Sequence, residues 1–168
     1  MINLKRILVP TDFSECSDAA LRYGVEFARK FGASLYLLHV IPDPATQPWA
    51  AEGFAVPLLD AVEQWQKDAQ ARLEQSIPDA DRAKAIFSCV IASPFPEILR
   101  YAAANDIDLI VMGTHGRGGV SHMVLGSIAE KVVRRAPCPV LTVRYPQHDF
   151  VEPGELVTTA VPVLAGKQ

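Results

Sequence analysis

The stretch "DLIVMGTHGRGGVSHMVLGSIAEK", residues 108–131, decides the fold. It begins with an apolar run, continues with a segment that contains five glycines, and ends in an amphipathic pattern that starts near Gly126. No acidic residue interrupts the part between Gly113 and Glu130. This order is typical of a buried strand, a loop that can approach a ligand, and a helix that begins beside that loop.

The same alternation of strand and helix patterns runs along most of the chain. Five short apolar runs are found at 6–10, 34–41, 84–91, 108–113 and 139–145. Four of them are almost continuously apolar, as strands buried on both faces of a parallel sheet are. Segments of helical period lie between the runs, at 14–31, about 58–76, 96–102 and 128–136. We therefore predict an α/β fold, with an open five-stranded parallel sheet and helices on both faces.

The expected strand order, 3-2-1-4-5, gives this sheet a ligand crevice. In such an order the first and fourth strands are neighbours, and the sheet order reverses between them. Ligands of open parallel sheets bind beyond the carboxyl ends of the strands at this reversal. Residues 9–12 and 112–116 occupy those ends, so the glycine-rich loop is expected at the crevice.

Composition limits the function classes. With 168 residues, 49% of them hydrophobic, the chain suits one domain, which we place at 1–145 with a long loop at 42–57. The segment 146–168 is expected to be a C-terminal tail, either disordered or lying on a partner subunit. The net charge of −3 argues against nucleic-acid partners, and no apolar run is long enough for a membrane span. Three cysteines without a CxxC pair favour a reducing cytoplasm over a disulfide framework.

The glycine-rich loop has the chemistry of an anion site. Glycines can adopt positive φ angles and allow backbone N–H groups close to a ligand, and Gly126-Ser127 begins a helix whose first N–H groups have no partner within the helix. Arg117 offers a positive charge, His115 a hydrogen bond, and Val40 support for a flat base. The loop fits neither a P-loop, since no lysine follows its glycines, nor the dinucleotide fingerprint, since it follows the wrong strand.

What remains is the spacing Gly113-x2-Gly116-x9-Gly126-Ser127. With this motif the chain resembles the universal stress protein (UspA-type) family, whose nucleotide-binding members carry G-2x-G-9x-G-[ST]. The stretches "ILVPTDFSECSDAALRYGVEFARKFGASLYLLHV" and "GSIAEKVVRRAPCPVLTVR" extend the resemblance over most of residues 5–144. It implies an adenine nucleotide alpha hydrolase-like fold, ATP binding and a homodimer.

The resemblance also implies a set of nucleotide-binding residues. Those near ribose and adenine would be Pro10, Thr11, Asp12 and Val40. Those at the phosphates would be Met112, Gly113, His115, Gly116, Gly126, Ser127, Ile128 and Ala129, beside the Arg117 noted above. Any Mg²⁺ would accompany ATP, with Asp12 in indirect contact at most. The chain departs from the family pattern at Ala92, where glycine is common, and at His122, where a basic residue is common.

Structural interpretations stand beside these roles. Ser127 and Glu130 form the pattern S-x-x-E of a helix capping box. Asp12 is also suited to a turn or a helix entry, and His39 is expected to be a hydrogen-bonded strand histidine.

Three functions stay open at this point. The preferred one is an ATP-binding stress-response or regulatory protein, in which nucleotide occupancy biases conformation or partner interactions. The second is a dimeric scaffold that binds no nucleotide, and the third is a slow ATPase. No set of nucleophile, base and orienting group is visible in the sequence, which makes an enzyme the weakest of the three. The last strand, 139–145, would form the dimer by pairing at the sheet edge.

Overall fold

The computed structural model describes residues 2–43, 56–116 and 125–146, and only the backbone of 56–61. Most of the predicted loop at 42–57, the predicted binding residue Arg117 and nearly all of the predicted tail therefore lie outside the described residues. In the described ranges, none of the helices has the length and apolar character that a membrane span requires.

Ten helices and strands follow one another in the described ranges. The strands are β1 (Arg6–Thr11), β2 (Ser34–Ile41), β3 (Ala85–Ile91), β4 (Leu109–Gly113) and β5 (Val140–Val143). The helices are α1 (Glu15–Phe31), α2 (Val56–Gln75), α3 (Asp79–Arg82), α4 (Pro94–Ala104) and α5 (Ser127–Arg135). The five strands and four of these helices occur where the sequence predicts them. Helix α3 was not predicted, because a helix of four residues is too short to show a period.

The sheet is parallel throughout, with the order β3-β2-β1-β4-β5, which confirms the predicted topology. The central strand β1 pairs with β2 on one side and with β4 on the other, with Ile7 aligned to Leu35 and to Leu109. The chain therefore reverses its direction of progress across the sheet at β1. The carboxyl ends of β1 and β4 lie side by side at that reversal, as expected.

Helices cover both faces of the sheet, as predicted. On one face, Ile7 and Val9 of β1 belong to a core that includes residues of α1 and α2, among them the fully buried Leu73. On the other face, Leu8 packs in a second core with residues of α4 and α5, among them Val132. Successive β1 side chains alternate between the two cores because a strand has a period of two residues. Ile7, Leu8 and Val9 are all 0% exposed, which accounts for the apolar run at 6–10.

The ends of α1 show why this helix lies where it does. Ser14 is its N-cap, and the Ser14 hydroxyl accepts a hydrogen bond from the Ser17 N–H at 3.3 Å. At the other end Gly32 has φ = 65° and its N–H bonds back to the last turn, which confirms the predicted C-cap. These two caps set the orientation in which α1 returns the chain to β2.

Asp108 links the amino-terminal ends of β4 and β1, at the end of the sheet opposite the crevice. Its carboxylate Oδ2 accepts hydrogen bonds from the backbone N–H groups of Lys5, at 2.7 Å, and Arg6, at 2.9 Å. Nearby Asp106 forms only an exposed ion pair with Arg6, with its side chain 85% exposed. The two aspartates thus form a matched pair, one that fixes strand backbone and one that does not.

We expect Asp108→Asn to lower the free energy of unfolding by about 1–2 kcal/mol, because two charge-assisted hydrogen bonds become neutral ones. Asp106→Asn should change it by less than about 0.5 kcal/mol, as is usual for an exposed ion pair. Urea unfolding followed by circular dichroism measures both. Equal losses in the two variants would show that Asp108 does not hold the strands together.

Candidate functional site

A cavity of about 770 Å³ opens at the carboxyl ends of β1, β2 and β4. This volume lies within the range of about 300–1,000 Å³ that is usual for small-molecule and cofactor sites. All described members of the predicted binding set line the cavity: Pro10, Thr11, Asp12, Val40, Met112, Gly113, His115, Gly116, Gly126, Ser127, Ile128 and Ala129. The structure thus brings together residues that lie more than a hundred positions apart, while their binding role stays a prediction.

The end of β1 places Asp12 at the floor of the cavity. Asp12 Oδ1 accepts hydrogen bonds from the Ser14 N–H at 3.1 Å and the Ser14 hydroxyl at 2.6 Å, so Asp12 shapes the turn that leads into α1. Its other oxygen, Oδ2, faces the Cα of Gly116. The turn role of Asp12 is confirmed for one oxygen, and the second oxygen points across the crevice.

The motif glycines are required by close packing. A Cβ on Gly113 would lie 2.9 Å from the Cys16 backbone, and a Cβ on Gly126 would lie 2.9 Å from the Thr114 carbonyl oxygen. A Cβ on Gly116 would collide with the Asp12 carboxylate. Among the described glycines only Gly32 has a positive φ angle, so Gly113 and Gly116 do not use the positive φ angles that glycine allows. Neighbouring backbone comes too close for a side chain at Gly113 and Gly126, and the Asp12 carboxylate does so at Gly116, which explains the motif.

Thr114 connects the glycine turn to two other elements. The Thr114 N–H donates to the carbonyl of Val143 on β5 at 2.9 Å, and the Thr114 carbonyl accepts from the N–H of Gly126 at 2.7 Å. The Thr114 side chain is buried, with its hydroxyl 3.0 Å from Nδ1 of His115. One residue therefore fixes the end of β4, the end of β5 and the start of α5 relative to each other.

Helix α5 begins at the cavity, and the residues of its first turn form part of the cavity wall. Its N-cap is Gly126, which has no side chain, and no side-chain hydrogen bond caps the helix. The helical hydrogen bonds start with the Glu130 N–H, which donates to the Gly126 carbonyl at 2.9 Å. The three preceding N–H groups, of Ser127, Ile128 and Ala129, are not used by the helix ladder. They belong to residues that line the cavity, so this helix start can present donors to an anion.

The capping-box interpretation of Ser127 and Glu130 was wrong. A capping box needs serine at the N-cap and glutamate three residues later, but Ser127 is the first residue inside the helix. Glu130 instead forms an ion pair with Arg134 at 3.1 Å. The pattern S-x-x-E occurs here one position too late, because the preceding glycine takes the N-cap.

Sequence reasoning missed the contribution of α2. The cavity wall includes Trp65, Asp68, Ala69 and Arg72, which share one side of the helix at the spacing of three, four and seven residues. The wall also includes Phe13, and the Arg72 guanidinium lies 4.3 Å from the centre of that ring. The spacing itself was present in the sequence. What the sequence lacked was the position of α2 relative to the crevice.

His39 has the structural role that was predicted, and it also lines the cavity. Its Nδ1–H donates to the Thr11 carbonyl at 2.7 Å, and its ring centre lies 4.4 Å from that of Phe13. Phe13 has φ = 61°, an uncommon conformation for an aromatic residue. Contacts with His39 and Arg72 therefore hold a strained turn residue beside Asp12.

Three ionisable side chains that do not line the cavity, Asp18, Cys89 and Cys138, have raised pKa values. Burial raises the pKa of Asp18, while the positive charges of Arg72 and Arg22 oppose that rise. Burial likewise raises the pKa of the Cys89 and Cys138 thiols, which disfavours the nucleophilic thiolate. Among the residues that the structure describes, no three metal-binding side chains lie together. The arrangement suits the binding of an anionic ligand through backbone donors.

Comparison with known proteins agrees with this architecture. The universal stress protein family model matches residues 3–144. A universal stress protein of Methanocaldococcus jannaschii is 30% identical over 86% of this chain and 85% of its own. The structure of UspA from Lactobacillus plantarum is similar with a TM-score of 0.72, at 31% identity, over 86% of this chain and 100% of its own. A universal stress protein solved in complex with cAMP shares the fold with a TM-score of 0.54, at 22% identity, over 84% of this chain and 98% of its own. On this match along nearly the whole described sheet, the chain belongs to the universal stress protein family.

Proposed function

We propose that this protein binds ATP in the cavity at the ends of β1, β2 and β4 and acts as a stress-response regulator. The observation that carries the proposal is the convergence of two sets of backbone groups on one cavity. The turn Gly113–Gly116 forms one side, and the first turn of α5 forms the other, with Thr114 hydrogen-bonded to both β5 and Gly126. Backbone N–H groups at a helix start and a tight turn are the usual donors for phosphate groups.

The two ends of the cavity suit the two ends of a nucleotide. The phosphates would lie against Gly116 and the N–H groups of Ser127, Ile128 and Ala129. The base would lie over the end of β2, where Val40, Ile41 and Pro42 form an apolar wall. A helix N-terminus stabilises one negative charge by only about 0.3–1 kcal/mol, so the turn and the expected Arg117 charge would have to contribute as well.

Any magnesium would be carried by the nucleotide. The cavity wall offers two carboxylates among the described residues, Asp12 and Asp68, and one Asp12 oxygen is already engaged by Ser14. Mg²⁺ is often held by one or two carboxylates together with substrate phosphates and water. We propose that Asp12, whose Oδ2 lies beside Gly116, contacts this Mg²⁺ at most indirectly, through a water molecule.

The contacts of Thr114 support regulation by nucleotide occupancy. The same residue that orders the phosphate turn donates to Val143, the last residue of β5. A ligand that tightens the turn would therefore also stabilise the end of the edge strand. We propose that occupancy in this way biases the surface that β5 offers to a partner.

We expect Gly116→Val to weaken ATP binding by about ten- to a hundred-fold, because its side chain would displace the Asp12 carboxylate and fill the crevice. The fold should persist, because Gly116 has no positive φ angle.

Isothermal titration calorimetry with ATP measures the loss. AMP and cAMP are titrated in the same way, because a protein of the same fold has been solved with cAMP. Ala104→Val, on the exposed end of α4, is the control and should bind as the wild type does. A folded wild type that produces no binding heat would favour the nucleotide-independent scaffold.

We expect Ser127→Ala to lower ATP affinity by about tenfold or more, since it removes one hydrogen bond to a charged group. Because Ser127 is not the cap, the free energy of unfolding should change by less than about 0.5 kcal/mol. Calorimetry and urea unfolding of the same sample separate the two effects. Lost stability with unchanged affinity would return Ser127 to a purely structural role.

Hydrolysis is the alternative that a turnover assay decides. We propose that ATP is retained rather than consumed, because the donors that would hold its phosphates are backbone N–H groups of cavity-lining residues, which bind an anion without activating a water molecule. Several equivalents of phosphate released per protein, and lost in Asp12→Asn, would establish the slow ATPase instead.

All three cysteines are free thiols, and on that basis we also propose a cytoplasmic location.

We further propose that the protein forms a homodimer through β5. This strand is the last in the sheet order and pairs with β4 among the described strands. The carbonyls of Pro139 and Val143 accept hydrogen bonds from Ile110 of β4 and from Thr114, which follows β4. The backbone groups of residues with odd numbers in β5 therefore face β4, and those of Thr142 face outward. Tyr145 and Val133, 44% and 46% exposed, add apolar surface on nearby elements.

Thr142→Pro should therefore convert the dimer to a monomer while the fold is retained, because it removes a donor only on the outer edge of the sheet. Thr142→Ala, which keeps that donor, should remain dimeric. Light scattering coupled to size exclusion at micromolar concentration measures the mass. A monomeric wild type, or a dimer of unchanged affinity in Thr142→Pro, would contradict pairing through β5.

A further inference from the structure

Trp65 is a large aromatic residue that lines the cavity and yet is 47% exposed. It lies on the side of α2 that faces the cavity, together with Ala69 and Arg72. Trp65 belongs to no element of the glycine motif, and its role does not follow from the motif. A large indole left half-exposed at the wall of a cavity is a surface on which a flat apolar group can pack.

The position of Trp65 in the cavity is set by its neighbours on α2. The side-chain amide of Gln66 donates to the backbone carbonyl of Cys89 on β3 at 3.0 Å, which attaches this turn of the helix to the sheet. Two turns later, Leu73 is 0% exposed in the core and anchors the same helix. The indole is therefore carried by a helix that is fixed at both of these points, which suits a preformed contact surface.

The other aromatic residues of the described cavity wall are already engaged. Phe13 has the Arg72 guanidinium 4.3 Å and the His39 ring 4.4 Å from its ring centre. His39 itself is 7% exposed and bonded to Thr11, and His115 lies at the phosphate turn beside Thr114. Trp65 is thus the aromatic side chain in the described wall with the most surface to offer to a planar ligand.

The location of Trp65 matches one part of a nucleotide. Helix α2 packs against β2 and β3, away from β4 and α5, which hold the glycine turn and the anion donors. Ile41 and Pro42 line the cavity at the carboxyl end of β2, one of the two strands against which α2 packs, whereas Val40 of the same strand packs in the core on the α4 and α5 face. A nucleotide with its phosphates at α5 would extend its base toward this side.

We propose that Trp65 stacks on the base of the bound nucleotide and makes the site select ligands by their base. The inference rests on the proposed nucleotide binding and adds the residue that recognises the base. Stacking of a base on an aromatic side chain accounts for about 1–3 kcal/mol in alanine substitutions, which corresponds to an affinity change of about 5- to 150-fold. The effect should depend on the base and not on the phosphates.

Tryptophan fluorescence observes this contact directly. The chain contains two tryptophans, so Trp49→Phe leaves Trp65 as the only indole. ATP and adenosine should both quench the fluorescence of this variant in a saturable manner, and inorganic tripolyphosphate should not. The dissociation constant from quenching should equal that from calorimetry.

Substitutions of Trp65 then separate base stacking from fold effects. Trp65→Ala should weaken ATP and adenosine by the same factor and leave tripolyphosphate unchanged, and Trp65→Phe should restore part of the loss. Lys67→Ala, an exposed residue of the same helix outside the cavity, is the matched control and should bind as the wild type does. Circular dichroism of each variant monitors folding.

The outcomes distinguish this inference from the proposed function. Wild type that binds ATP, with silent Trp65 fluorescence and unchanged affinity in Trp65→Ala, would overturn the role of Trp65 alone. Wild type that binds neither ATP nor adenosine would overturn the nucleotide site itself. A loss for tripolyphosphate equal to that for ATP would show that Trp65 acts on the whole cavity and not on the base.

Discussion

Two backbone hydrogen bonds of Thr114 are the interaction on which the site depends. They join the end of β4 to Val143 of β5 and to Gly126 before α5. Without them, the glycine turn and the helix start would have no fixed relation, and their N–H groups would not converge on one cavity. The remaining constraint is steric, because Gly126 approaches the Thr114 carbonyl too closely for any side chain. The spacing of the motif and the start of α5 thus both depend on one close-packed junction.

Much of the fold could be predicted from sequence because its signals are local. Strands buried on both faces are apolar throughout, and each predicted run became a strand within one or two residues at either end. The reversal at β1 was expected from the strand order, and it placed the cavity correctly. The short helix α3 left no periodic signal, and its four residues contribute no buried side chain that could have revealed it.

The site was predictable where it is built from consecutive residues and less so where elements meet. Twelve predicted residues lie in the cavity wall, eleven of them because the glycine motif and the end of β1 keep their neighbours together, and Val40 because β2 ends beside β1. The close packing at the glycines was not predicted, since the approach of distant parts of the chain cannot be read from spacing. Ser127 was considered as an N-cap, as the alternative to a phosphate ligand, because the S-x-x-E pattern is one position away from the true cap at Gly126. The wall formed by α2 depends on tertiary packing, and nothing near Trp65 or Arg72 in sequence indicates it.

The central claim is that backbone donors on both sides of the crevice bind the nucleotide phosphates. Amide signals in ¹H–¹⁵N spectra of the wild type, recorded with and without saturating ATP, test it residue by residue. The account predicts large shifts for Gly116, Ser127, Ile128 and Ala129, and unchanged signals for Lys5 and Arg6 at the opposite end of the sheet. Unchanged signals at the crevice, or shifts confined to other surfaces, would contradict it.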